Sequence, residues 1–286
     1  MRKFLRWFGI ALAVLAGLAM LALAYVYFAS GRVLGRSYDA AVENLPAPSA
    51  ALLADAPRQA RILGCLNCHD VGLKGKLMFD EPGVGSVSAP NLTQVAAEAT
   101  DQQLAAAIRQ GIGRDGRGLF LMPSGLYSRL GDGEVAALIA FVRSQKRDTN
   151  AVSPVSWGPL GRAGIVAGKL RPQPDHIDGF RTKWPHELGP RFAPGRRLAA
   201  TVCAECHMPD LSGGAMEGDI ATPNLAVAGG YSFEEFRTLL RTGKGTGGRD
   251  LGLMSDVSRK DFKHFTDQEI RALYDYLTAR AERVTR

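Results

Sequence analysis

The sequence predicts an all-α protein of two similar domains in tandem, behind an N-terminal helix long enough to cross a membrane. Three observations carry that prediction. Within 286 residues, Cys65-Leu66-Asn67-Cys68-His69 returns as Cys203-Ala204-Glu205-Cys206-His207. Each copy is followed by apolar residues at helical spacing behind helix-capping signals, with no strand pattern of any length. Ahead of both copies, Trp7 to Gly31 holds no charged residue. The chain divides into an anchor at 1–31, a stalk at 32–54, a first domain at 55–148, a proline-rich linker at 149–194 and a second domain at 195–286.

The 25 uncharged residues would span ~37 Å as a helix, against a hydrocarbon core of ~30 Å. Arg2, Lys3 and Arg6 precede them, and the positive-inside rule keeps that end cytoplasmic. Tyr25, Tyr27 and Phe28 stand at the far end, where aromatic belts belong. A cleaved signal peptide is the competing reading, with Ala22-Leu23-Ala24 as the cleavage candidate. The apolar run exceeds the ~7–15 residues of a signal h-region, which favours a retained anchor.

In the first repeat, a short helical pattern from Arg58 leads into the pentapeptide. A glycine-rich loop then ends in Ala89-Pro90-Asn91-Leu92. Thr100-Asp101-Gln102-Gln103 is a capping box whose helix stops at Gly111. Leu121-Met122-Pro123 precedes a last helix from Glu134 to Val142. The linker carries seven prolines, from Pro154 to Pro194, which leaves room only for a helical turn or two between Arg162 and Leu170. Its Trp157, Phe180 and Trp184 predict that it lies across both domains. The second repeat supplies Ala221-Thr222-Pro223-Asn224-Leu225, a capping box at Ser232-Phe233-Glu234-Glu235, a stop at Gly243, Gly252-Leu253-Met254 and a capped final helix from Thr266. Ile270, Leu273, Tyr274 and Leu277 of that helix are expected to face inward.

Cys-x-x-Cys-His is the attachment signature of a c-type haem. Two thiols on one helical turn reach the two vinyl groups of one haem, and the next residue offers its imidazole to the iron. The two copies use all four cysteines of the chain. Structural zinc would need four ligands, and a thioredoxin-like pair would need a βαβ setting. A disulfide between the copies would leave both histidines unexplained. The expectation is two covalent haems, on Cys65 and Cys68 and on Cys203 and Cys206, with His69 and His207 as proximal ligands.

For the distal position each repeat offers two methionines, Met78 with Met216 and Met122 with Met254. Met78 and Met216 follow their histidines by only nine residues, a tight path around a flat macrocycle. Met122 and Met254, ahead of the last helix, are therefore the expected ligands, with the other pair as packing residues. His264 is a weaker candidate for the second haem. The Pro90 and Pro223 carbonyls are candidates to take the proton on the other ring nitrogen of each histidine. Arg109 and Arg241 are candidates for haem propionates or, equally, for solvated helix ends.

The formal charge of +7 includes three basic residues ahead of the apolar run and an excess in the linker. Residues 196–286 hold 13 basic and 13 acidic residues, so no basic stripe points to nucleic acid.

The chain resembles membrane-anchored dihaem cytochromes with class I cytochrome c domains. The stretch from Pro90-Asn91-Leu92 through Met122-Pro123 and Leu130 to Phe141, matched in the second repeat through Leu277, is similar to the cytochrome subunits of bacterial periplasmic dehydrogenases. Those subunits carry three haems, whereas this chain has two attachment sites. The resemblance implies small all-α domains that each wrap one haem, and a relay of single electrons. Expected partners are the membrane and redox proteins: a dehydrogenase, a quinol-oxidising complex or a terminal oxidase. The expected location is the bacterial inner membrane, with the haem domains in the periplasm and no catalytic residue or small-molecule substrate. A dihaem peroxidase is the enzyme alternative, and it requires an open distal site that paired methionines would close.

Overall fold

The computed structural model describes residues 1–215 and 221–284. It is mostly helical. Helix α1 (Arg2–Leu34) carries an 18-residue window of mean hydropathy 2.4, none of it buried against the rest of the chain. Length and composition suffice for a membrane crossing. Its far end is held by the linker. Arg162 lies over the Tyr27 ring at 4.7 Å and donates to Ser30 Oγ at 3.1 Å.

The segment expected to be a stalk does not stand free. Gln110 bonds both backbone groups of Ala41 at 2.8 Å, and Gln102 does the same for Glu43 at 2.8 Å. Two amide side chains thus imitate a partner strand for an extended chain whose backbone groups need partners. Helix α2 (Ala50–Ile62), capped by Ser49, then leads to α3 (Cys65–His69).

One departure from the expected all-helical pattern follows. Strands β1 (Lys76–Glu81) and β2 (Gly85–Ala89) form an antiparallel hairpin. The register shifts between Leu77 and Phe79, which places Met78 at a bulge, 39% exposed. Met78 is therefore not a core packing residue. No alternation marks the hairpin in the sequence, because β1 lies mostly at the surface and β2 buries two consecutive residues, Val87 and Ser88.

Helices α4 (Leu92–Glu98), α5 (Asp101–Gln110), α6 (Ser124–Tyr127) and α7 (Asp132–Ser144) complete the first half. The Thr100–Gln103 capping box forms, and Gly111 ends α5 in the left-handed conformation. In the linker, β3 (Ser156–Trp157) pairs with β2, and α8 (Pro159–Val166) and α9 (Ile177–Thr182) follow. Helix α10 (Ala193–Leu198) runs through a π-turn into α11 (Ala204–His207). Helices α12 (Phe233–Thr242), α13 (Leu253–Lys260) and α14 (Asp267–Val284) close the second half.

In each half, the helix before the pentapeptide packs against the last helix, α2 on α7 and α10 on α14. Ile270, Leu273 and Leu277 are buried as expected, but Tyr274 is only half-buried and Tyr276 is wholly buried. Tyr276 donates to the linker carbonyl of His186 at 3.0 Å, a long-range partner that no helical period shows. Beside it, a Cβ on Gly195 would lie 2.0 Å from Ala272 O, so this close helix approach requires glycine.

The two halves meet through reciprocal pairs. Arg58, ahead of the first pentapeptide, donates to Glu269 at 2.7 and 3.0 Å. Arg197, ahead of the second, pairs with Glu134. Both glutamates also cap their own helices, accepting from Thr266 N and Gly131 N at 2.7 Å. Arg129, 6% exposed, ties the linker to both halves. It donates to the carbonyls of Phe180, Lys183, Ala200 and Pro209 and lies over the Trp184 ring at 4.9 Å. Burial pulls its pKa down to about 10, which still leaves a cation at neutral pH. The linker therefore crosses both halves, as its aromatic residues predicted.

Replacing Arg58 with Met should destabilise the protein by about 1–3 kcal/mol, because Glu269 and the His264 carbonyl lose a half-buried charged donor. The same change at Arg114, whose pair with Glu98 is exposed on both sides, should cost far less, because water screens the pair. Urea denaturation of the two variants checks the contrast; equal losses would mean that the cross-domain pair has no special weight.

Candidate functional site

Each pentapeptide forms a short helix with its histidine buried, 7% exposed for His69 and 9% for His207. His69 Nδ1 lies 2.9 Å from Pro90 O, and His207 Nδ1 lies 2.8 Å from Pro223 O. A carbonyl only accepts, so each Nδ1 carries the proton. Burial pulls both histidine pKa values down, which favours the neutral ring. Nε2 is then left with a free lone pair and no hydrogen bond among the described residues.

The backbone that delivers those carbonyls is the same in both copies. The residue after each histidine has positive φ, 65° at Asp70 and 68° at Met208. Leu73 and Leu211 follow at 58° and 66° and are buried at 1% and 0% exposure. Gly75 N then donates to His69 O at 2.8 Å, and Gly213 N to His207 O at 3.0 Å. A Cβ on Gly75 would sit 2.6 Å from Asn91 N, and one on Gly213 would sit 2.5 Å from Asn224 N. The glycine is thus pressed against the loop that presents the proline carbonyl. The next residue of that loop fixes it from the other side: Asn91 Oδ1 accepts from Thr93 N at 3.0 Å, and Asn224 Oδ1 from Ala226 N at 2.9 Å. This explains why proline and asparagine recur together in the two copies. The hook of Asp70, Leu73 and Gly75 was overlooked in the sequence. Its signal was available as the constant offset of 138 residues that relates these positions to Met208, Leu211 and Gly213.

The four cysteines are free. Burial, then the neighbouring thiol, pushes Cys65 and Cys203 up to about 12; burial and then Glu205 push Cys206 up to about 11. Thiol–disulfide catalysis uses depressed thiol pKa values, so these pairs are unsuited to it. Among the described residues no three His, Cys, Asp or Glu side chains gather as a metal site. Two free thiols on one helical turn, next to an imidazole with its Nδ1 committed and Nε2 available, fit a covalently attached haem.

The methionines are placed unequally. Met122 lies in the bend before α6, and Met254 in the first turn of α13 rather than in a loop; both are half-buried against the apolar core. Met216 lies outside the described residues. Arg109 and Arg241 are not simple solvated ends, and Arg109 Nε has no hydrogen-bond partner among the described residues. Each reaches the first-turn aspartate of its domain's last helix, Arg109 to Asp132 at 2.5 Å and Arg241 to Asp267 at 2.7 Å. His264 is half-buried where Arg58, Arg61 and Lys263 lower its pKa together with burial, the largest cause.

The two attachment segments also meet each other's domain. Asn67 Nδ2, inside the first pentapeptide, donates to Asp261 Oδ2 at 2.7 Å. The spacing of the repeat gives no hint of this contact between halves.

The cytochrome c family profile matches residues 55–146 and 192–280. Similar curated proteins include the fructose dehydrogenase cytochrome subunit of Gluconobacter japonicus, 26% identical over 242 residues, which cover 74% of this chain and 49% of that protein. The cytochrome c subunit of the quinone alcohol dehydrogenase of Gluconobacter oxydans is 24% identical over 263 residues, with 79% and 54% covered. That of Gluconacetobacter polyoxogenes is 25% identical over 276 residues, with 83% and 58% covered. The chain spans about half the length of the curated relatives it matches.

Gly213→Ala should disturb the second site alone and Gly75→Ala the first alone, because each added methyl displaces one proline carbonyl. Gly168→Ala isolates the cost of positive φ, since φ there is 70° and nothing lies within 4 Å of the added Cβ. That control should lose about 1–3 kcal/mol and keep its full haem content. Haem-to-protein ratios with thermal denaturation decide the matter; an unchanged ratio in Gly213→Ala and Gly75→Ala would refute the role of the hook.

Proposed function

The chain belongs to the cytochrome c family, and from that premise we propose that it is a membrane-anchored carrier of two covalent haems c that relays single electrons. Cys65 and Cys68 attach one haem and Cys203 and Cys206 the other, with His69 and His207 as proximal and Met122 and Met254 as distal ligands. The observation that carries the reading is the repeated Nδ1–H bond from each histidine to Pro90 or Pro223. It holds a neutral imidazole in one orientation at both sites, with Nε2 left to ligate an iron. The helix Arg2–Leu34 keeps the carrier at the inner membrane with its haem domains on the periplasmic side.

The named relatives are cytochrome subunits of dehydrogenases, and this supports a dehydrogenase as the electron donor. A quinol-oxidising complex or terminal oxidase in the same membrane is the matching class of partner. At each site the bound haem supplies the reversible one-electron couple. The protein supplies the attachment thiols, the oriented imidazole and a thioether that favours the ferrous state.

Intact-mass analysis of protein made in a host competent for cytochrome c maturation should show two haem additions; the bare polypeptide mass would sink the reading. Met254→Ala should turn one ferric haem partly high-spin and lower its potential, whereas Met78→Ala, at an exposed bulge, should leave the spectrum unchanged. The opposite pattern would reassign the distal ligands, and strong peroxide turnover by the unaltered protein would favour the peroxidase alternative.

A further inference from the structure

Two positions that the repeat makes equivalent carry opposite charge. Arg129 and Asp261 are 132 residues apart, the offset that also relates Met122 to Met254 and Gly111 to Gly243. Each is 6% exposed, and each crosses to the other half. Asp261 accepts from Asn67 at 2.7 Å, within the first pentapeptide. Its charge bears on Cys65 and Cys68 of the first pentapeptide; in the second it reaches Glu205 but neither Cys203 nor Cys206. Arg129 donates to Ala200 O at 2.7 Å and Pro209 O at 3.2 Å, which bracket the second pentapeptide.

We propose that this charge reversal sets the two haem sites at different potentials, the first below the second, so that an electron entering the chain settles on the second. The physical cause is Coulombic. A carboxylate beside an iron stabilises its ferric over its ferrous form, and a guanidinium does the reverse; both act strongly where burial limits screening. In the exchange one electron leaves the iron held by His69, which goes from ferrous to ferric. It arrives at the iron held by His207, which goes from ferric to ferrous, and no co-reactant enters.

Two other charges reach the segments. Glu205, inside the second pentapeptide, bears on both Cys68 and Cys206; burial, then Asp261, raises its own pKa, which favours the neutral acid over the carboxylate. Lys76 bears on Cys68 and opposes Asp261, but it is half-buried where Asp261 is 6% exposed, and water screens it more. The Asp261 pKa is raised: burial, the largest cause, outweighs the Asn67 bond, Lys260 and Lys263, which lower it.

The inference rests on the dihaem reading, and its test is a redox titration of the full chain well above the carboxylate range. Each wave is assigned by its loss when the cysteine pair of that site is replaced with alanine. The first site should have the lower potential. Asp261→Asn, which keeps an acceptor for Asn67, should raise that potential by roughly tenfold in the exchange equilibrium, about 59 mV for one electron, and leave the second site nearly unmoved. Arg129→Gln should lower the second potential, while Arg129→Lys, which keeps the charge if it folds, should not. Equal or reversed potentials in the unaltered protein would overturn the proposal, as would an Asp261→Asn protein with both potentials unchanged. A protein without covalent haem would refute the underlying reading instead.

Discussion

One hydrogen bond, from the Nδ1–H of a buried histidine to a proline carbonyl, organises each half of this protein. It selects the tautomer and turns Nε2 toward the site. A proline carbonyl suits the task because its backbone has lost a degree of freedom. To bring that carbonyl back over the histidine within 21 residues in one copy and 16 in the other, the chain must reverse tightly. The reversal uses positive φ at two non-glycine positions, Asp70 and Leu73 in one copy, Met208 and Leu211 in the other. Such conformations are unfavourable for side chains bearing a Cβ. They are held by burial of the leucine and by glycine contacts too close for any other residue. Local strain is thus accepted where the fixed orientation of an imidazole is needed.

The arrangement of the halves follows from economy in the use of helix caps. Glu134 and Glu269 each satisfy a helix N-terminus and, through the same Oε2, hold an arginine from the opposite half. The arginines lie just ahead of the pentapeptides, so the contact that joins the halves also sets the attachment segments near one another. Half-buried pairs of this kind contribute modest stability, and their larger effect is to specify one relative orientation. Arg129 adds a different element. A buried guanidinium with no carboxylate partner among the described residues is stabilised by four backbone carbonyls and an aromatic face, and this gathers the linker, the first half and the second into one body.

The linker and the segment after α1 are both short of regular structure, yet neither is loose. Gln102 and Gln110 supply the extended segment with the backbone partners of a strand. Pro172 and Pro185 are fully buried in the linker, and Arg162 fastens α8 to the end of the apolar helix. The haem domains are thereby held at a fixed relation to that helix instead of swinging from it.

Much of this was legible in the sequence. The pentapeptides, the capping boxes at Thr100 and Ser232, the glycine stops and the apolar run are local signals, each set by a few neighbouring residues, and each appears where expected. The Pro90 and Pro223 carbonyls could be named because the repeat preserved them. What the sequence could not decide depends on residues far apart in the chain. The hairpin of β1 and β2, the burial of Tyr276, the aspartate partners of Arg109 and Arg241, and the meeting of Asn67 with Asp261 are products of packing between elements. A hydrogen bond across 194 residues leaves no periodicity behind, so only the folded chain could show that the two attachment sites share a boundary and that its charges differ in sign.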